Sequence, residues 1–186
     1  MSNTVIYVLL GIILSLALFS IVIYNRLVSL SYKVTEAFSQ IQVQLKRRSD
    51  LIPNLIETVK GYASHEKSTF DAVVQARSKA TSATSVADVA AADGMLTQAL
   101  RGLLAVAEAY PDLKASDNFL SLQEELSSTE NKVAFSRQFY NDNVRIFNTT
   151  INTIPSKFIA DALKYQDREF YELEDPSMGN VVNVKF

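Results

Sequence analysis

From Val5 to Tyr24 the chain reads VIYVLLGIILSLALFSIVIY, twenty residues without a charge. At 1.5 Å per helical residue such a run spans about 30 Å, the thickness of a bilayer's hydrocarbon core. It has no polar face, which argues against a buried core helix. Its N-terminal flank, Met-Ser-Asn-Thr, lacks Lys or Arg, and Tyr24-Asn25-Arg26 is no small-residue cleavage site, so the run does not read as a cleaved signal peptide.

No breaker separates this run from the next stretch. Apolar residues recur at Leu27, Leu30, Val34, Phe38, Ile41, Leu45, Ile52, Leu55 and Val59, then at Tyr62, Phe70 and Val73. Steps of three and four, or their sums, place them on one helical stripe. The pattern predicts a first helix reaching about Arg77. Pro53 lacks an N–H and clashes with the carbonyl four residues back. Either the helix kinks there, or a new one starts with Ser49 or Asp50 near its N-cap; the unbroken phase of the stripe favours a kinked, continuous helix.

The Ser/Thr/Ala stretch Ser78–Ser85 reads as a linker. A second helix is predicted over Val86–Ala109, with Val89, Met95 or Leu96, Leu100, Leu103 and Val106 inward, ending at Tyr110-Pro111. Ser116 or Asp117 caps a third helix, Asn118 to Thr153. Its apolar residues Phe119, Leu122, Leu126, Val133, Tyr140, Val144, Phe147, Ile151 and Ile154 have near-heptad spacing, the signature of a coiled-coil-like seam. Pro155 stops it, and Ser156 is placed to cap a short fourth helix, 157 to about 165. The segment 166–186 reads as a C-terminal tail, with Val181–Val184 either strand-like or docked. The predicted fold is all-α. A transmembrane anchor over 1–25 is continuous with an antiparallel helical bundle over 26–165, of three main helices and a short fourth.

Composition narrows the function. Eighteen basic and 20 acidic residues give a net charge of −2, which supplies no field for nucleic acid. Cysteine is absent, excluding a disulfide scaffold and a thiol nucleophile. His65-Glu66 is half of a zinc-protease motif, but residue 69 is Thr and there is no second His, so no metal site is expected. Phosphate-binding glycine loops and nucleophile elbows are missing too. The helical carboxylates Glu57, Glu66, Glu108 and Glu130 read as solvated or paired with arginine. No catalytic residue and no cofactor are assigned.

The arginines carry more information. Lys46-Arg47-Arg48 resembles a lipid-binding cluster. Yet on a continuous helix Lys46 lies roughly 33 Å beyond Tyr24, several Debye lengths of about 8 Å from a bilayer. Arg48 falls on the apolar stripe, Arg137 borders the third helix's seam, and Arg77 lies near the end of the first helix. A buried guanidinium must be paired. Glu66, Glu130, Asn54, Asn141 and Asn148 are the candidate partners of a polar network that sets the register of the first helix against the third. Gly11 and Ser15 form a small-xxx-small pair on which two spans could approach. Arg26 and Lys33 flank the run on one side only. That bias puts the bundle in the cytoplasm and the four residues before the run outside.

The segments Leu45-Lys46-Arg47-Arg48, Asp50-Leu51-Ile52-Pro53-Asn54-Leu55 and Val59-Lys60-Gly61-Tyr62-Ala63, then His65-Glu66 and Ala76-Arg77, resemble the signature of the LemA family. Tyr110-Pro111, Leu113-Lys114-Ala115, Phe119, Leu122-Gln123 and Leu126 continue it, followed by Glu130, Arg137, Tyr140-Asn141, Asn148 and Pro155. The match covers about residues 5–165; the family's Phe before the last Pro is Ile154 here. The resemblance implies a bacterial inner-membrane protein with one N-terminal span, a cytoplasmic helical bundle and no established enzyme activity. The expected role is a scaffold or adaptor, self-associating and organising membrane partners. The alternative is a regulatory or sensory subunit of a membrane protease or signalling enzyme.

Overall fold

The computed structural model describes residues 3–172. Among these, six helices occur and no strand: α1 (Asn3–Lys60), α2 (Lys67–Ser82), α3 (Val86–Glu108), α4 (Pro111–Lys114), α5 (Asp117–Asn152) and α6 (Ser156–Ala162). The all-α class follows from the chain's few breakers and long 3.6-residue periodicity. Val181–Val184 lies outside the described residues.

The first predicted helix is in fact two. It ends at Lys60, not near Arg77, and the chain turns through residues 61–66 before α2. Gly61 and Tyr62 close the last turn onto the carbonyls of Glu57 and Val59, at 3.3 and 3.1 Å. The apolar stripe keeps its phase across this turn because α2 packs its own face, Phe70, Val73 and Ala76, into the same core. Helix α2 also consumes most of the expected linker, leaving residues 83–85. Ser85 caps α3: its Oγ accepts from Asp88 N at 3.1 Å and donates to the Asp88 carboxylate at 2.6 Å. Pro111 opens the single turn α4, where its missing N–H costs nothing. Ser156 does not cap α6; Pro155 occupies that position without a side-chain bond.

The chain divides into two compact units. The first comprises residues 3–37 and 139–169. Its core is built from Ile23, Leu27, Val34 and Ala37 of α1 with Tyr140, Val144, Phe147 and Ile151 of α5 and Ala160 of α6. After α6 the chain runs back along α5 as an extended segment, in which Tyr165 meets the Phe147 ring edge-on at 5.5 Å. The side-chain amide of Asn148 clasps the main chain of Arg168 from both sides, at 2.9 Å each. Tyr140 donates to the Glu169 carbonyl at 2.9 Å.

The second unit holds residues 38–138 and 170–172. Ile52, Leu55, Val59, Phe70, Val73, Leu96, Leu100, Leu103, Leu113, Phe119 and Leu126 form its apolar core. Within it α1 passes through Pro53 without a break. The bond that Pro53 cannot donate would have gone to the Ser49 carbonyl, four residues back. Ser49 is buried, and Arg77 of α2 supplies the missing donor, its Nε reaching Ser49 O at 3.0 Å. The helix thus continues because a neighbour replaces the lost hydrogen bond, and the replacement ties α2 to α1.

This coupling is testable. Arg77→Met leaves a buried carbonyl unpaired and is expected to lower stability by about 1–3 kcal/mol. In a Pro53→Ala background the restored N–H serves Ser49, so the same substitution should cost clearly less. Thermal melts followed by circular dichroism in mild detergent give the comparison.

Candidate functional site

The chemistry-bearing residues of the second unit converge on Asp93 in α3. Its side chain is 0% exposed. It lies on the inward stripe of α3, one turn after Val89 and one before Leu96, so the helix's own periodicity carries the carboxylate into the core. An ionised carboxylate there needs donors. Arg48 of α1 gives one from Nη1 to Oδ1 at 3.2 Å, and the same nitrogen donates to Thr97 Oγ1 at 2.9 Å. Arg137 of α5 pairs through Nη2 with Oδ2. Tyr171 donates its hydroxyl to Oδ2 at 2.9 Å, with the Val89 carbonyl 3.4 Å away. The Arg137 guanidinium also lies over the Tyr171 ring, 5.4 Å from its centroid. Glu130, half exposed on α5, stands 3.7 Å from Arg48 Nη2.

Three helices and the returning segment therefore meet on one carboxylate. Arg48 Nε and Arg137 Nε are buried without an acceptor among the described residues. Each such orphan costs about 1–3 kcal/mol. Buried ion pairs add little net stability over an apolar replacement, but removing one partner is severe. These contacts join α1, α3 and α5 within this unit. Burial, and then the Asp93 carboxylate, push the Tyr171 hydroxyl well above its ordinary ionisation range, partly opposed by Arg137.

The residues singled out from the sequence fall into distinct places. Arg48, Arg137 and Glu130 come together around Asp93, and Arg77 and Pro53 meet at the Ser49 carbonyl. Asp50 makes an exposed ion pair with Lys46 one turn away. Asn54 is exposed and contributes its main-chain carbonyl to Thr58 at 2.9 Å. Glu66 precedes α2 with no side-chain cap bond. None of these last three enters the cluster. Tyr140, Asn141 and Asn148 belong to the first unit, where burial raises the Tyr140 hydroxyl's ionisation above its usual range. Gly11 and Ser15 lie on the uncovered run of α1, Ser15 Oγ donating to the Gly11 carbonyl at 2.9 Å. Sequence reasoning misses Asp93, Thr97 and Tyr171. The signal for Asp93 is an acid at an inward position of the second predicted helix; Tyr171 sits in irregular chain without periodicity.

Among the described residues no group of three or more His, Cys, Asp or Glu is gathered as a metal site would require. Helix α1 is long and apolar enough to cross a membrane. Only 6% of its apolar window is covered by the rest of the chain, unlike a core helix.

The neutral Tyr171 sets a pH dependence. An unfolded tyrosine ionises near 10.0, whereas the folded one resists. Its stabilisation is therefore complete below pH 10 and is lost progressively as pH rises from there toward the folded value. Melting temperature measured from pH 8 to 11 should fall more steeply in the wild type than in Tyr171→Phe.

Comparison with known proteins places these residues in context. The model of the LemA family matches residues 37–186. The magnetosome protein MamQ 2 of Paramagnetospirillum magneticum is 23% identical over 175 residues, covering 80% of this chain and 64% of that protein. MamQ 1 of the same organism gives the same figures. Protein LemA of Metamycoplasma hominis is 30% identical over 142 residues, 75% of this chain and 64% of the relative. The chain thus spans slightly less than two thirds of the length of these relatives.

Proposed function

Since the chain belongs to the LemA family, with its profile matched over residues 37–186, we propose that it is a single-span, membrane-anchored helical adaptor that acts by contact rather than catalysis. One observation carries this reading. The uncovered apolar run and the buried stripe of the bundle, through Leu45, Ile52, Leu55 and Val59, belong to one unbroken helix, Asn3–Lys60. An anchor built in this way confines the bundle to a surface and raises the effective concentration of weak lateral contacts.

In this reading the charged side chains of the Asp93 cluster serve one another, and the exposed faces serve partners. Self-association runs through the Gly11/Ser15 face of the span, where an added methyl at Gly11 would meet nothing within 4 Å. Arg26 and Lys33 orient the bundle to the cytoplasmic side of the inner membrane.

The chain has no cysteine, so a single one can be introduced at the exposed Arg101. An impermeant maleimide should label Arg101→Cys only after the inner membrane is opened; labelling in cells with an intact inner membrane contradicts the orientation. Light scattering in mild detergent should give a mass above the 20.7 kDa monomer, and Gly11→Leu should reduce it. A monomer throughout contradicts self-association and leaves the anchor untouched.

A further inference from the structure

The first unit carries a surface that its own core does not explain. Ile154, in the turn from α5 into α6, is 69% exposed, and Phe158, in the first turn of α6, is 68% exposed. Leu163, at the far end of α6, is 41% exposed. Exposed apolar residues scattered singly need no explanation, but here a long β-branched chain and an aromatic ring share one corner.

The location of that corner identifies what covers it. Along α1, residues 5–22 are uncovered, and Ile23 is the first buried side chain, 7% exposed. Within this unit the covering chain is 139–169. Helix α1 leaves the unit after Ala37 and α5 enters it at Phe139, which sets the two antiparallel inside it. The end of α5, at Ile151, therefore lies at the Ile23 end of α1. Buried residues of α1 run from Ile23 to Ala37, about 21 Å, and those of α5 from Tyr140 to Ile151, about 16 Å. The remaining turn of α1 is the level of Ile154, Pro155 and α6. The hydrogen bonds of the returning segment agree: Asp167 meets Asn152, Arg168 meets Asn148 and Glu169 meets Tyr140, so α6 lies beyond the end of α5. The exposed pair thus stands level with Ile23 and Tyr24, where the apolar run ends.

We propose that the α5–α6 corner is a membrane-interface foot: Ile154 and Phe158 insert into the lipid headgroup and upper acyl region beside the emerging α1 helix. The occupant is the bilayer that holds the span, so this inference rests on the anchor reading above. Burying an aromatic and an aliphatic side chain at the interface fixes the unit against the membrane as a single flexible helix exit could not. The exposed Tyr24 on α1, 46% accessible, supplies an interfacial aromatic at the same level. Electrostatics contribute little to the preference, because residues 139–169 contain four basic and four acidic side chains. Contact should therefore form on neutral lipid and persist in salt.

The test uses the full chain in phosphatidylcholine vesicles, with nitroxide labels on single cysteines. Leu14→Cys reports the span, Ile154→Cys and Phe158→Cys the foot, and Leu120→Cys an exposed position of the second unit. Collision with oxygen and with a water-soluble nickel complex gives the depth of each label. The expected result is Leu14 in the bilayer core, Ile154 and Phe158 in the interfacial region at low and high salt, and Leu120 in water. The foot is overturned if Leu14 is deep while labels at 154 and 158 meet the nickel complex as freely as the one at 120. It is likewise overturned if they are shielded from both reagents, the mark of a protein neighbour. A label at Leu14 in water overturns the anchor itself, and the foot with it.

Discussion

A carboxylate with no exposed surface constrains everything around it. Asp93 is fully buried in the second unit, and its charge cannot be left there without donors. Arg48 from α1, Arg137 from α5 and Tyr171 from the segment after α6 supply them. Each donor comes from a different part of the chain. A slip of either long helix by one residue would carry its guanidinium about 100° around the helix and strand the acid. The same slip would turn the buried stripe of α1, Ile52, Leu55 and Val59, away from the core, so packing and ion pairing demand the same register. The ion cluster adds to that packing the requirement that Asp93 keep its donors.

The stretch 48–53 does two jobs within one and a half turns of α1. Arg48 reaches α3 and stands near Glu130 of α5. Pro53 frees the Ser49 carbonyl, and Arg77 takes it from α2. The densest motif of the sequence is therefore a junction: every other long helix of the second unit is bound to α1 within this span. The lysine and first arginine of that motif lie off the junction, Lys46 spending its charge on the exposed Asp50, where an ion pair contributes little.

Much of this is legible in the residues themselves. The uncharged run from Val5 declares itself by length. The boundaries of α3 and α5 follow from Ser85, Pro111 and Pro155, residues whose backbone chemistry is local. Arg48 stands out because its phase places a cation on an apolar stripe. The same reasoning, applied to acids, finds Asp93, but the inward face of α3 is read from its apolar residues alone. The turn at 61–66 escapes because both sides of it feed one core, so the stripe continues in phase where the helix does not. Irregular chain hides most. The grip of Asn148 on Arg168 and the arrival of Tyr171 depend on an extended segment that no periodicity marks.

Asp93 and its two arginines thus matter to one another rather than to the apolar core. Stability of the Asp93→Leu variant, compared with a triple Arg48→Met, Asp93→Leu, Arg137→Met variant, tests this dependence, using denaturant melts in mild detergent. Stranding two buried cations in the single variant should cost about 3–5 kcal/mol, and removing them as well should recover most of that loss. A triple variant no more stable than Asp93→Leu alone would contradict it.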